Sequence, residues 1–257
     1  MSMKIIDSHC HFDDARFDPD RDAAYHRAQA AGVVALIVPA VTRESWSKLQ
    51  RICRSYAGLH PAYGLHPMFM QQHRASDIDA LDLQLSHAEA VAVGECGLDF
   101  YIEQPDRAGQ TALFTAQLAL AEKYNLPVII HARKAVEEVL NLLRRFPRLR
   151  GVLHSYSGSE QQAHRLIERG FLMSFGGPLT YPNAKRLHKL VSRLPLESIM
   201  LESDAPDQPD ADHRGGRNEP ALLGSVLQLL AEIRSESSEE IARQTTANAV
   251  NLFAIEI

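Results

Sequence analysis

The sequence predicts an α/β fold, a single (β/α)8 or TIM barrel over residues 1–257. Eight short apolar runs alternate with helical ones at regular spacing, the pattern of parallel strands joined by right-handed crossovers. Eight such units in 257 residues suit a closed barrel better than an open, doubly wound sheet. No GxGxxG opens the first helix, which removes the main signature of the open alternative.

Met3-Lys4-Ile5-Ile6 starts the first strand, which runs into Asp7-Ser8-His9-Cys10-His11. A charged loop (12–22) leads to a helix over 21–31, stopped by Gly32. Residues 33–40 (VVALIVPA) are almost continuously apolar, as in a strand buried on both faces. A helix over 43–56 ends near Gly58, and 60–66 (HPAYGLH) forms the third strand. Next come a helix over 77–87, a fourth strand over 90–96 (AVAVGEC) and a long amphipathic helix over 106–124. The fifth strand is 127–131 (PVIIH), followed by a helix over 135–146; the sixth is 151–154 (GVLH), followed by a helix over 159–169. The seventh is 171–175 (FLMSF), followed by a helix over 183–192, and the eighth is 199–204 (IMLESD). Helices over 220–234 and 238–253 finish the chain, with no low-complexity stretch, Ser/Gly linker or short repeat.

Composition fits one globular domain with a large core: 45% of residues are hydrophobic and 23% charged. A net charge of −5 gives no support to tight non-specific nucleic-acid binding by the whole surface, though it leaves room for a local basic rim. Cys10, Cys53 and Cys96 are scattered and odd in number, so no disulfide framework is implied. No positively charged segment precedes an apolar stretch at the N-terminus, and no apolar run reaches the roughly 18 residues of a membrane span. The expectation is a soluble protein of a reducing cytoplasm with no membrane contact, and the sequence implies no particular protein partner.

Polar residues fall in one place. The strands are apolar inside, yet several close on a good metal ligand: His9, His11, His66, Glu95, His131, His154 and Asp204. Side chains alternate along a strand, so His9 and His11 share a face and Cys10 opposes them. In a barrel all C-terminal strand ends meet on one rim. Taken singly, each residue could be a satisfied core histidine, a paired acid or a turn cap. Together, six ligand-type side chains from the first, fourth, fifth, sixth and eighth strands would be costly to bury without a cation, which points to a divalent-metal site. His26, His87, His164 and His188 lie in helical stretches and His60 opens its strand, so none is assigned chemistry. Cys10 and Cys96 should pack into the helix layer, and Cys53 lies in a helix.

The motifs DSHCHFD (7–13), YGLHP (63–67), VGECGLDF (93–100), LPVIIHAR (126–133), GVLHSYSGS (151–159), LESDAP (201–206) and RNEP (217–220) occur in that order over nearly the whole chain. In these the sequence resembles the TatD family of metal-dependent hydrolases, within the amidohydrolase superfamily. TYP (180–182) after Gly176-Gly177 resembles the YjjV-like branch of that family. Departures are Ser203 where Thr is frequent, Tyr156 where Phe is frequent and Cys96 where an aliphatic residue is usual. The resemblance implies that His9, His11 and Asp204 hold one metal, that His131 and His154 hold a second, and that Glu95 bridges them. Some members of that family lack part of the first histidine pair, and since this chain keeps both, the resemblance implies two divalent ions per subunit. The histidine-rich set favours zinc, with manganese or magnesium also suited. Such a pair shares and acidifies a water, and Asp204 is placed to take its proton and return it to the leaving group. Glu95 and Asp204 are thus the expected catalytic residues.

The family resemblance implies deoxyribonuclease activity, removing nucleotides from a 3′ end. Arg133 and Lys134 follow the fifth strand, Lys185 and Arg186 the seventh, Arg214 and Arg217 the eighth. Converging loops would make these a basic rim for phosphate, with Arg133, Arg214, Arg217 and His66 as the expected substrate contacts. No aromatic-rich basic stripe suggests an extended groove, so a DNA end or a small phosphodiester is the expected substrate. Two other readings stand beside this one: an acyl hydrolase acting on esters or amides, including aminoacyl-RNA, with the same centre, and a scaffold that has lost catalysis while keeping the fold.

Overall fold

Eight strands pair side by side in chain order, each parallel to the next: β1 (Ile5–Asp7), β2 (Val33–Pro39), β3 (Leu59–Tyr63), β4 (Ala92–Asp99), β5 (Val128–Arg133), β6 (Gly151–Leu153), β7 (Phe171–Phe175) and β8 (Ile199–Leu201). This computed structural model describes residues 3–87 and 89–257. Backbone hydrogen bonds carry the ring across its last gap: Ser8 N–H donates to the Leu201 carbonyl at 2.9 Å, and Asp204 N–H to the His9 carbonyl at 2.9 Å. The Asp7 carboxylate reinforces this seam by accepting from Ser203 N–H at 2.9 Å. The result is a TIM barrel.

Helices α1 (Arg21–Ala30), α2 (Trp46–Ser55), α3 (Asp77–His87), α4 (Arg107–Tyr124), α5 (Val136–Leu143), α6 (Glu160–Ile167), α7 (Lys185–Val191) and α8 (Leu223–Ile233) form the outer layer. Caps set several starts. Asp106 accepts from Gly109 N–H before α4, and Ser159 with Gln162 makes a reciprocal capping box before α6. The core has two parts. Between strands and helices lies the larger one, including Cys10, Cys53 and Cys96, as expected of side chains facing the helix layer. Inside the barrel Ile6, Ala35, Ile37, Ala62, Ala92, Ile129, Val152 and Met200 fill the lower layers.

The last helix, α9 (Ser238–Phe253), plugs the N-terminal end of the barrel. Ala249, Leu252 and Phe253 join the inner core, and Asn248 donates to the carbonyls of Leu196 and Ile199, at the start of β8. The bottom is sealed by side chains, so chemistry has access only from the opposite rim. Among the described residues, no helix is long and apolar enough to cross a membrane.

Some strand ends differ from the sequence expectation. β3 stops at Tyr63, and His66 instead caps a 3-10 segment (Pro67–Gln72), its ring accepting from Met68 N–H. β4 does not end at Cys96 but runs on to Asp99, because β5 continues to Arg133 and pairs with it; Glu95 therefore lies inside a strand. β8 ends at Leu201, so Asp204 sits on the loop beyond it, with φ +53°.

Candidate metal centre

Glu95 is the hub. It is 1% exposed and points into the mouth of the barrel, where the ends of β1, β5, β6 and β8 bring His9, His11, His131, His154 and Asp204 around it. A register shift between Val93 and Cys96 turns this part of β4, and Gly97 (φ +139°) lets it close on β5: a Cβ there would stand 2.1 Å from the His131 carbonyl oxygen.

The two carboxylate oxygens face different donor sets. Oε2 lies 3.0 Å from His9 Nε2 and 3.4 Å from His11 Nε2. Those nitrogens are 3.3 Å apart, and Asp204 Oδ1 is 3.5 and 3.6 Å from them. Oε1 lies 3.1 Å from His131 Nδ1 and 2.8 Å from His154 Nε2, themselves 3.1 Å apart. Ligands about 2.1 Å from a tetrahedral cation stand roughly 3.4 Å from one another. The first cluster has about that spacing, and the second is tighter, at 2.8–3.1 Å. In addition, Glu95 Oε2 accepts no hydrogen bond although the His9 nitrogen is 3.0 Å away, an unpartnered buried oxygen at the middle of the donors. The donors of the first cluster fit a divalent cation with four protein ligands, and the second cluster offers three more donors on the other side of Glu95.

Groups behind the cluster fix which ring nitrogen faces inward. His11 Nδ1–H donates to the Pro39 carbonyl at 3.2 Å, leaving Nε2 for the site. His131 Nε2–H donates to Asp99 Oδ2 at 2.9 Å, leaving Nδ1. His154 Nδ1 faces Glu202 at 3.8 Å, and Glu202 is held by Ser155 N–H at 2.7 Å and by the Ser174 hydroxyl. Asp99 and Glu202, both fully buried, were missed from sequence. Each sits in a motif beside a ligand, Asp99 four residues after Glu95 and Glu202 two before Asp204.

His66 also reaches the centre, with Nε2 2.8 Å from Glu95 Oε1, and His66, Glu95 and His131 are close enough to hold an ion. Its tautomer argues otherwise. Nδ1 accepts from Met68 N–H at 3.1 Å, so the neutral ring carries its proton on Nε2 and has no lone pair there for a cation. Burial pushes this imidazole down to about 4, which keeps it neutral. It is a hydrogen-bond donor aimed at the site.

The electrostatics follow from burial and mutual charge. For Glu95, burial, which alone would raise it, is outweighed by His66, His154 and His9, so the carboxylate stays ionised. Burial lowers His9, whereas in His11 the Glu95 carboxylate overcomes burial and pushes the ring up to about 9. Burial raises Asp204 despite the histidines around it. Left-handed backbone at Lys134 (φ +52°), Ser155 (φ +45°), Asp204 (φ +53°) and Gln208 (φ +49°) clusters in the loops after β5, β6 and β8, the strain expected where a site fixes its residues.

The basic residues divide into two groups. Arg217, expected at the substrate, is instead paired with Asp20 at 2.5 Å and Glu219 at 3.4 Å and donates to the Arg16 carbonyl at 2.9 Å. Its donors are engaged because the loop after β1 folds back over the loop after β8. Arg186 donates to the Ser157 and Gly158 carbonyls. Arg133 and Arg214 lie over aromatic rings, those of Tyr101 at 3.8 Å and Tyr181 at 5.3 Å, with no carboxylate partner among the described residues.

Comparison with known proteins gives the family and the fold. The family model described as TatD related DNase matches residues 6–254. YjjV of Escherichia coli (strain K12), an uncharacterized metal-dependent hydrolase, is 39% identical over 259 residues, covering 99% of this chain and all of the relative. YabD of Bacillus subtilis (strain 168), also named a metal-dependent hydrolase, is 32% identical over 253 residues, covering 98% of this chain and 99% of the relative. The crystal structure of the E. coli YjjV protein, a TatD homolog, superposes with a TM-score of 0.95 at 38% identity over 100% of both chains. A TatD family hydrolase from Entamoeba histolytica shares the fold at 20% identity, with a TM-score of 0.86 over 98% of each chain. Matched from its first strand to its last helix, the chain belongs to the TatD family of metal-dependent hydrolases.

Proposed function

We propose that this hydrolase cleaves phosphodiester bonds, removing nucleotides from the 3′ end of single-stranded DNA, with two divalent cations held by His9, His11, Glu95, His131, His154 and Asp204. The carrying observation is the division of Glu95: one oxygen faces His9 and His11, the other His131 and His154. The donor set suits zinc first, and manganese or magnesium can use the same ligands. When bound, such a pair polarises a phosphoryl oxygen and acidifies water.

The chain's own groups do the rest. Asp204 Oδ1 faces the two first-strand histidines while Oδ2 accepts from the Gln208 amide, so each oxygen has one partner and keeps a second lone pair with which the carboxylate can take a proton at the reacting centre. Burial, which raises its pKa, helps it pass that proton to the leaving oxygen. His66 Nε2–H can donate to a phosphate oxygen in place of Glu95. Arg133 and Arg214, free of carboxylates among the described residues, offer forked donors to the flanking phosphates. Support for DNA over other diesters is the family model's own description as a DNase.

The test is turnover of bis-p-nitrophenyl phosphate and a 5′-labelled single-stranded oligonucleotide against p-nitrophenyl carboxylic esters, each with added Zn²⁺, Mn²⁺ or Mg²⁺. The expected result is diester turnover and a ladder shortening from the 3′ end. Ester turnover without diester turnover would overturn the proposal in favour of acyl hydrolysis.

A further inference from the structure

Tyr101 is one of few large hydrophobic side chains left in solvent, 53% exposed, and it stands beside the metal centre. Its backbone N–H donates to Asp99 Oδ1 at 2.9 Å, and the other oxygen of that carboxylate holds His131. Arg133 is two residues beyond His131 on β5, hence on the same face and about 7 Å further up the strand. Phe100 N–H donates to the Arg133 carbonyl at 2.9 Å, which ties the two strand ends together.

Two cations cover the ring. The Arg133 guanidinium carbon lies 3.8 Å from its centroid and the Lys134 ammonium 4.5 Å, the left-handed turn at Lys134 (φ +52°) bringing the second charge back over the first. Cation–π contact orients both without using their hydrogens. Among the described residues neither side chain has a hydrogen bond or an ion pair, unlike Arg16, Arg27 and Arg217, which carboxylates hold. An aromatic ring that is 53% exposed, with cations against it whose donors have no partner among the described residues, is the chemistry that binds a nucleotide: base on ring, phosphate on guanidinium.

We infer that Tyr101, Arg133 and Lys134 form a subsite for the nucleotide adjoining the scissile phosphate, with Tyr101 stacking its base. The inference rests on the proposed 3′-end nuclease reading and deepens it, assigning to three residues of this chain the hold on the base and phosphate next to the cut. The subsite is one strand-end layer from the cations, so it accepts the first neighbouring nucleotide only.

The experiment is binding without cleavage. Asp204→Asn protein with added Mn²⁺ is titrated into 5′-fluorescein pentathymidylate and into a labelled abasic deoxyribose-phosphate chain of equal length, read by anisotropy. The thymidylate strand should bind about tenfold tighter, the strength of one base stacked on an aromatic ring. Adding Tyr101→Ala should close that gap, and Tyr101→Trp should keep it open. Arg133→Ala should weaken both ligands and reduce the salt dependence by about one charge. Equal binding of the two chains, a gap that survives Tyr101→Ala, or no measurable binding of either overturns the subsite. Diester hydrolysis in the wild-type turnover assay is read separately, so loss of the subsite and loss of the phosphodiesterase reading are distinguishable.

Discussion

Asp99 Oδ2 stands 2.9 Å from His131 Nε2 and thereby turns the other nitrogen of that ring, Nδ1, to within 3.1 Å of Glu95 Oε1. A carboxylate that fixes a ligand's tautomer is worth about 10–100-fold in metal affinity. Asp99→Asn, which keeps shape and the acceptor for Tyr101 N–H, should weaken binding at the His131–His154 cluster by that factor while the melting temperature stays near wild type. Calorimetric metal titration checks this; unchanged affinity at both clusters would show that His131 needs no orienting group.

For Asp204→Asn the expectation is a fall in kcat of about 10²–10⁴-fold, the range of a lost general acid–base group, in a protein that remains folded. Circular dichroism checks the fold and steady-state kinetics the rate. A kcat unaltered at neutral pH would remove the proton-transfer role from Oδ1 and Oδ2 alike.

The plug at the bottom of the barrel gives a prediction about stability. Phe253 is 3% exposed and packs with Leu252 against the inner layer of Met200 and Val152. Phe253→Ala should cost about 3–5 kcal/mol, read as a lowered urea midpoint. Loss of under 1 kcal/mol, on the order of a surface change, would mean that α9 does not seal the core.

Arg217 should act on folding rather than on substrate. Hydrogen bonds from Arg217 and Arg27 hold the Asp20 carboxyl well below its usual range, and Arg27 does the same for Glu219. Folded pKa values below the unfolded ones mean stability that is complete above the unfolded carboxylate range, about 4, and lost as pH falls through the folded values. Arg217→Ala should therefore lower the urea midpoint modestly at pH 7, by an amount that shrinks at pH 3, since these pairs are partly exposed and screened. A rise in KM for oligonucleotide with no change in midpoint would return Arg217 to the substrate.

Much of this was legible in the sequence, for physical reasons. β7 and α9 have the bounds that periodicity gives, because each is bordered by turn or cap residues: Gly170 (φ +77°) before β7, and Ser237, accepting from Glu240 N–H, before α9. The ligand types stood out because ionisable groups at the ends of apolar strands are rare without a compensating charge. What periodicity could not show was pairing. β4 runs past Cys96 because β5 extends alongside it, and Arg217 is taken up by Asp20, 197 residues earlier in the chain. Asp99 and Glu202 stayed hidden because they act on other side chains, and which imidazole nitrogen they hold is a property of the packed site alone.

If the two oxygens of Glu95 serve two cations, each donor set should hold one of its own. Anomalous diffraction from crystals grown with excess Zn²⁺ tests it most directly. Two strong peaks are expected about 3.5–4 Å apart, one among His9, His11 and Asp204 and one between His131 and His154, with Glu95 between them. A single peak at full occupancy, or peaks away from Glu95, would contradict it.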